Sequence, residues 1–211
     1  MGVYIRVDEH WKPWANTVAY YKLDSNLNDS SGNGMNWTWY NWAWTFSDGV
    51  LDLWWSHSIE LPFTLAWLTD WTFNIRMKVN QNKTINGILG TATWIEWTMH
   101  IQYVYTSNDI VIWVNPYSEI QAITTLNIGS WYNITMTKSW TTYKIYINWA
   151  LAVSWTSWNF TDTSTLYLWM TYETARCWNW CLSNAIFEDV ARTAEEIADY
   201  YNYTKSNYWI S

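Results

Sequence analysis

The residues best suited to chemistry crowd into one short stretch, residues 24–34. Side chains that carry oxygen atoms stand there at Asp24, Asn26, Asn28, Asp29, Ser30 and Asn33. This density suits Ca²⁺, which takes about six to eight hard oxygen ligands. The spacing is not that of an EF-hand loop, because the positions that need Gly and Glu hold Asp29 and Met35. A solvated turn, in which Asp and Asn bond their own backbone, is the alternative.

Side chains for catalysis have no recognisable arrangement in this sequence. The histidines His10, His57 and His100 lack a metal or triad partner at a familiar spacing. Jelly-roll glycosidases place closely spaced carboxylates on one strand for acid, base and nucleophile roles, and no such strand is present. The acidic residues near the C-terminus, Glu188, Asp189, Glu195 and Glu196, are split between a strand end and a helix start, where negative charge has a structural use. We therefore expect no enzyme.

Charge and hydropathy limit the classes of partner that this protein can bind and the compartment in which it is expected. Charged residues make up 14% of the 211 residues and the net charge is −7, so a nucleic-acid backbone would be repelled. Apolar runs are interrupted before membrane-spanning length, and residues 1–15 carry charges where a signal peptide needs an apolar stretch. We expect an extracellular or cell-surface domain of a longer polypeptide, with no nucleic acid partner, no membrane insertion and its export signal outside this sequence.

The two cysteines, Cys177 and Cys181, lie four residues apart. This spacing suits a disulfide that closes a small loop in an oxidising compartment, and it matches no zinc pattern. Two thiols are the alternative, and the sequence leaves both open.

Tryptophan is in great excess and glycine is scarce. The chain has 22 Trp and 7 Gly, although Gly usually supplies about 7% of a domain. In Asn148-Trp149, between two strand-like runs, the favoured hairpin turn would read Asn-Gly because both positions need positive φ. The same Asn/Ser-Trp pattern recurs at Trp37, Trp42, Trp140, Trp155, Trp158 and Trp180. We hypothesise that the source organism reads the UGA codon as glycine, and that the sequence was translated with a codon table that gives tryptophan for UGA. A genuinely Trp-rich protein is the alternative. A UGG codon for Trp149 would exclude the hypothesis.

Short β-prone runs with turn signals between them fill the chain. They predict strands at residues 17–21, 50–53, 58–61, 72–79, 88–91, 99–105, 110–114, 120–126, 132–137, 143–147, 151–154, 166–170 and 185–190. With no helices between them, these strands indicate an all-β, antiparallel two-sheet sandwich. One short C-terminal helix is predicted at 194–202, with a capping box from Thr193 to Glu196 and an apolar stripe at Ile197, Tyr200 and Tyr201.

Four segments, in order, resemble bacterial laminin-G-like (concanavalin-A-like) jelly-roll domains. They are Val18-Ala-Tyr-Tyr-Lys-Leu-Asp24 with Asn28-Asp-Ser-Ser-Gly-Asn-Gly34, then residues 46–62 ending Ile-Glu-Leu-Pro62, then Gly129-Ser-Trp-Tyr-Asn-Ile-Thr-Met-Thr137 with 144–149, and finally Leu182-Ser-Asn-Ala-Ile-Phe-Glu-Asp-Val190 with Arg192-Thr-Ala-Glu-Glu-Ile197. The match covers nearly all of 18–203, which is the expected domain between a lead segment (1–17) and a tail (204–211). Arg76 departs from the family, which usually has Trp there.

The resemblance implies a structural Ca²⁺ at the oxygen-rich stretch. Its ligands would be Asp29, Asn33, loop carbonyls and an acid of the closing strand, Asp189 or Glu188, with Asp24 in the same stretch as a further oxygen donor. The resemblance also marks Trp131 as a genuine tryptophan, and we expect its ring in the core.

With catalysis set aside, two binding functions remain. One is a lectin-like, carbohydrate-binding or adhesive module that stacks sugars on aromatic side chains, with candidates Tyr103, Tyr105, Tyr117 and Tyr172. For each of them a buried core position is the alternative. The other is a structural or protein-interaction domain of a larger surface or appendage protein, without glycan binding. A glycoside hydrolase is the least favoured function.

Overall fold

The computed structural model describes residues 15–40, 44–47, 50–53, 58–65, 68–79, 85–91, 99–104, 109–114, 118–123, 125–157, 165–168 and 180–208. These residues form β1 (Thr17–Tyr21), β2 (Thr38–Tyr40), β3 (Trp44–Ser47), β4 (Val50–Leu53), β5 (Ser58–Glu60), β6 (Asp70–Val79), β7 (Ile85–Thr91), β8 (Met99–Val104), β9 (Asp109–Val114), β10 (Ser118–Ile123), β11 (Trp131–Ser139), β12 (Thr142–Ile147), β13 (Ala150–Thr156), β14 (Leu166–Leu168), β15 (Trp180–Glu188) and the helix α1 (Ala194–Tyr208). No helix in this described part has the length and apolar character needed to cross a bilayer.

The strands form two antiparallel sheets, which confirms the predicted fold class. Sheet A has the order β13-β12-β11-β6-β15-β4-β3, and β1 pairs with β15 beside this path. Sheet B has the order β10-β9-β8-β7-β14-β5-β2. Every predicted strand overlaps an observed one, whereas the short strands β2 and β3 were not predicted.

The core lies between the sheets and follows the strand alternation of sheet A. On β6, Trp71, Phe73, Ile75 and Met77 are fully buried, and the register places Ile75 beside Ile134 of β11. Burial of each such side chain contributes about 1.5–3 kcal/mol. The alternation therefore fixes which face of β6 points inward.

The other face of sheet A is polar, yet it is also buried. Thr72, Asn74 and Arg76 of β6 lie there beside Thr137, Thr135 and Asn133 of β11, and none of the six is more than 8% exposed. Helix α1 covers this face with Ile197 and Tyr200, and Asn184 Nδ2 donates to the Tyr200 hydroxyl at 3.1 Å.

The start of α1 confirms the predicted capping box. Glu196 N–H donates to Thr193 Oγ1 at 3.2 Å, and Thr193 N–H donates back to Glu196 Oε2 at 2.8 Å. The helix runs to Tyr208, past the predicted end at residue 202. The extra turns have a packing reason, since Thr204 is buried and its hydroxyl bonds the Tyr200 carbonyl at 2.9 Å.

Strand β15 holds sheet A together from the C-terminal part of the chain. One edge pairs with β6 along most of its length. The other edge is shared, because β4 pairs with residues 180–182 and β1 pairs with residues 185–188. Segments far apart in sequence thus meet on one strand.

Two turns bear on the tryptophan excess. The predicted two-residue hairpin at Asn148-Trp149 forms, since Ile147 pairs with Ala150, but only Asn148, with φ 59°, has the expected positive φ; Trp149 does not. Trp140, between β11 and β12, has φ 54° and is 69% exposed. Non-glycine residues rarely adopt such positive φ values.

Other positions of the pattern are not turns. Trp37 is buried against Tyr21, with ring centroids 4.0 Å apart, and Trp155 and Trp180 lie in strands. Trp42 and Trp158 lie outside the described residues. The UGA hypothesis therefore stays a prediction for the gene sequence to test.

Candidate functional site: the β1 exit loop and a basic cleft beside the helix

Asp29 organises the β1 exit loop, residues 22–36. Its Oδ1 accepts hydrogen bonds from the N–H groups of Tyr20 at 3.0 Å and Ser31 at 2.8 Å. Its Oδ2 accepts from Ser31 Oγ at 2.7 Å and from Met35 N–H at 3.0 Å. A carboxylate offers about four lone-pair positions, so these four donors occupy it.

The charged form of Asp29 is favoured in the folded loop. Burial alone would raise the pKa of this carboxyl, but the hydrogen bonds from Tyr20, Ser31 and Met35 outweigh it and hold the pKa below its usual range. The Tyr21 hydroxyl adds a closing bond by donating to the Met35 carbonyl at 2.7 Å. The loop thus has the backbone-bonded geometry of the turn alternative.

The exit loop and the end of β15 meet across β1. Asn33 Nδ2 donates to the Thr17 carbonyl at 2.6 Å and to the Val18 carbonyl at 3.1 Å. Thr17 is paired with Glu188, and Asp189 N–H donates to the Asn16 carbonyl at 3.0 Å. The exit loop and the end of β15 therefore both contact the start of β1.

Glu188 is committed to an ion pair with Arg192. The guanidinium contacts both oxygen atoms of Glu188, with Nε–Oε2 at 3.1 Å and Nη2–Oε1 at 2.8 Å, and Nη1 reaches Glu196 Oε1 at 2.9 Å. Burial raises the pKa of Glu188, and contact with Arg192 works in the opposite direction. This pair ties the end of β15 to the first turn of α1.

The predicted calcium ligands fit an ion only in part. The four lone-pair positions of Asp29 are occupied by protein donors, and Glu188 is buried in its ion pair with Arg192, whereas Asp24 and Asp189 are exposed. In the described ranges, no group of three or more acidic, His or Cys side chains is placed to share a metal ion.

The predicted stacking residues and the cysteines have mixed outcomes. Tyr103 is fully buried and its hydroxyl accepts from Leu126 N–H at 3.3 Å, so it is a core residue and cannot stack on a sugar. Cys181 is buried in β15. Outside the described residues lie Tyr105, Tyr117, Tyr172 and Cys177.

A second feature, which sequence reasoning missed, is a cleft between β11, the β12–β13 turn and α1. We call it the basic cleft; it is shallow, with about 20 Å³ of enclosed volume, so a sugar would lie across its open mouth, and it is lined by Arg76, Trp131, Tyr132, Asn133, Asn148, Tyr201, Thr204 and Lys205. Arg76, the departure from the family pattern, was the one signal of it in the sequence.

Aromatic rings hold cations at the basic cleft. Arg76 Cζ lies 4.7 Å and Lys78 Nζ 5.4 Å from the centre of the Trp131 ring. Lys205 Nζ lies 5.7 Å from the centre of the Tyr201 ring. All are within about 6 Å, where cation–π attraction operates. Trp131 is half-buried on the outer face of sheet A, so the prediction that its ring lies in the core is wrong.

Asparagine amides form the floor and one wall of the cleft. Asn148 is fastened to β11, because its Oδ1 accepts from Asn133 N–H at 3.2 Å and its own N–H donates to the Asn133 carbonyl at 2.6 Å. The Asn133 side chain is 3% exposed, and its Oδ1 accepts from Asn74 Nδ2 at 2.6 Å. Within this amide pair, Asn133 Nδ2 is buried without an acceptor and Asn74 Oδ1 is buried without a donor. The asparagine pair therefore braces the floor beneath the cleft.

Compared with models of known families and with curated proteins, the sequence matches none. Solved structures do share the fold. Domain 4 of AbnA, a GH43 extracellular arabinanase from Geobacillus stearothermophilus, in complex with arabinotriose, is similar with a TM-score of 0.73 at 18% identity, over 87% of this chain and 97% of that domain.

Two larger proteins contain the same fold. The receptor-binding domain of botulinum neurotoxin type G has a TM-score of 0.69 at 15% identity, over 90% of this chain and 52% of that one. Trypanosoma rangeli sialidase has 0.70 at 10% identity, over 92% of this chain and 34% of that one. The chain thus spans about half of the toxin domain and about a third of the sialidase. At these identities the likeness shows the fold, a β-sandwich also used by carbohydrate-binding and receptor-binding domains.

Proposed function

We propose that this chain is a non-catalytic, laminin-G-like binding module that holds an oligosaccharide in the basic cleft. The observation that carries the proposal is the cleft itself, where the rings of Trp131 and Tyr201 stand beside the cations of Arg76 and Lys205. Small-ligand sites combine aromatic walls with a few placed polar groups in this way. The arabinotriose complex of the similar AbnA domain gives further support.

A glycan array, followed by calorimetry on the glycans it selects, tests the proposal. We expect Trp131→Ala to weaken binding about tenfold or more, because it removes a cleft wall and releases two cations from their ring. The matched control is Trp155→Ala, which removes an indole that is 48% exposed on β13. Equal binding by both variants would place the glycan elsewhere, and no binding at all would refute the function.

The interaction-domain alternative has one observation in its favour. The β12–β13 hairpin presents Trp149, Leu151 and Trp155, each about half exposed at 56%, 53% and 48%. Exposed apolar side chains mark contact sites in many proteins. This observation belongs to the genuinely Trp-rich alternative, since the UGA hypothesis replaces Trp149 and Trp155 by glycine. If the domain serves as a protein contact, Leu151→Lys should abolish capture of a surface-protein partner and leave glycan binding unchanged.

We also propose an extracellular or cell-surface location. The support is indirect: the chain has few charges, and the similar AbnA domain belongs to an extracellular enzyme. Protease treatment of intact cells of the source organism would test it, since a surface domain is cleaved while cytoplasmic proteins are protected.

We also propose a structural Ca²⁺ at the β1 exit loop, with fewer side-chain ligands than the sequence predicted. The oxygen content of the loop supports it, but the contacts of Asp29 and Glu188 leave Asp24, Asn33 and Asp189 as the available side chains. An ion at about a hundred times its Kd would stabilise the fold by about 2.7 kcal/mol. A calcium titration of the melting temperature measures this, and an unchanged midpoint would remove calcium from the proposal.

A further inference from the structure

We propose that the basic cleft selects glycans that carry a carboxylate group, such as uronic or sialic acid residues, over neutral glycans. The proposal rests on the proposed function, because it names the class of sugar that the same cleft takes.

The charge of the cleft is opposite to that of the whole chain. The net charge is −7, and Lys and Arg number 11 in all. Arg76 and Lys205 line the cleft, and Lys78 stands beside it on the Trp131 ring. No acidic residue occurs among the described lining residues. A small concave region of one charge sign raises the local concentration of opposite charge.

Each cation is held in a defined place. Arg76 is 8% exposed and sits over the Trp131 ring, while Lys205 is exposed in the last turns of α1 beside the Tyr201 ring. Side chains restrained in this way lose less freedom when they bind, so more of the interaction reaches the measured affinity.

The hydrogen-bonding capacity of these cations points to the same class of ligand. Arginine and lysine are donors and cannot accept. A ligand group that accepts several hydrogen bonds and carries negative charge is therefore the complement, and a sugar carboxylate offers both.

The test compares acidic sugars with neutral partners of the same size. Calorimetry would measure trigalacturonate against its methyl ester, and sialyllactose against lactose, so that the two sources of the carboxylate are separated. We expect at least one acidic member to bind about tenfold or more tightly than its neutral partner. Its affinity should fall as salt shortens the screening length from about 30 Å at 0.01 M to about 3 Å at 1 M.

Charge-removing variants locate the effect. Lys205→Gln and Lys78→Gln should each weaken the acidic glycan about tenfold and leave the neutral partner unchanged, whereas Lys22→Gln, at an exposed lysine of the exit loop, should change neither. Melting temperatures confirm that the variants are folded. Lys205 is exposed, so its variant is expected to fold.

The possible results distinguish a failure of carboxylate selection from a failure of the proposed glycan binding. Equal affinity for acidic and neutral glycans, lost in Trp131→Ala, would overturn carboxylate selection and keep glycan binding. An acidic preference that survives in both lysine variants would overturn the assignment to this cleft. Absence of binding to every glycan would overturn both proposals.

Discussion

Replacing Trp140 by glycine and, separately, by alanine tests the turn between β11 and β12. Trp140 has φ 54° and is 69% exposed, and its N–H donates to the Thr69 carbonyl at 2.8 Å. Both variants remove the indole and keep this backbone bond. Their difference therefore isolates the conformational preference of the backbone at this position.

The sign of the difference follows from two opposing effects. An L-residue in the left-handed region costs about 1–2 kcal/mol, which glycine avoids. Glycine loses about 0.5–1 kcal/mol more than alanine by ordering a freer chain. At Trp140 we therefore expect the glycine variant to be more stable than the alanine variant by about 0.5–1 kcal/mol. For a domain of this size, this raises the melting temperature by about 1–4 °C.

Trp155 is the matched control, because it is also exposed but lies in the extended strand β13. There only the entropic effect acts, so glycine should be less stable than alanine by about 0.5–1 kcal/mol. Urea and thermal unfolding of the four variants measure both differences. The same sign at Trp140 and Trp155 would show that residue 140 is not left-handed, and would remove the structural reason for expecting glycine there in the gene.

Four further outcomes are expected. Asp29→Asn should lower the unfolding free energy by about 2 kcal/mol equally with calcium and with chelator, because the carboxylate serves the loop backbone; a loss confined to calcium would contradict this. Because the folded state lowers the pKa of Asp29, its contribution to the free energy of unfolding is complete above about pH 4 and is lost as pH falls through the lowered pKa. Asp29→Asn should therefore reduce the loss of unfolding free energy that the native protein shows on acidification. An unchanged acid dependence would count against this role. Arg192→Ala should lower the free energy of unfolding by about 3–5 kcal/mol at neutral pH, because it leaves Glu188 buried and charged. The loss should be smaller in acid, where Glu188 is protonated. A loss that does not change with pH would indicate lost packing instead. Thr193→Ala should cost about 1 kcal/mol in urea unfolding, and no loss would mean that the capping box is dispensable.

Local patterns in the sequence were enough for much of the fold. Alternation placed most strands, the Thr193–Glu196 spacing located the start of α1, and the turn at Asn148 was confirmed. Each of these features depends on neighbours within a few residues. The length of α1 was not predictable in that way, because its final turns depend on packing against sheet A.

Long-range packing explains what sequence reasoning missed at the site. The basic cleft joins Arg76, Trp131 and Lys205, which come from three segments far apart in the chain. The polar residues of β6 alternate with its core residues, and only the packing of α1 shows that their face is covered as well. For Tyr103 the sequence left a stacking and a core position open, since an aromatic residue in a strand can face either side, and here it faces the core.

The position of β15 also has a consequence for synthesis. In the described part of the chain, the strand partner of β1 is β15, which begins at Trp180, 159 residues after Tyr21. At about 5–20 residues per second, β1 waits roughly 8–30 s for that partner to be translated. During this interval β1 and β4 each have one strand edge that is not yet paired with β15. Open strand edges can pair with other chains. Sheet A therefore cannot close until residues 180–188 have left the ribosome, and a chain that stalls earlier would present these edges to chaperones and proteases.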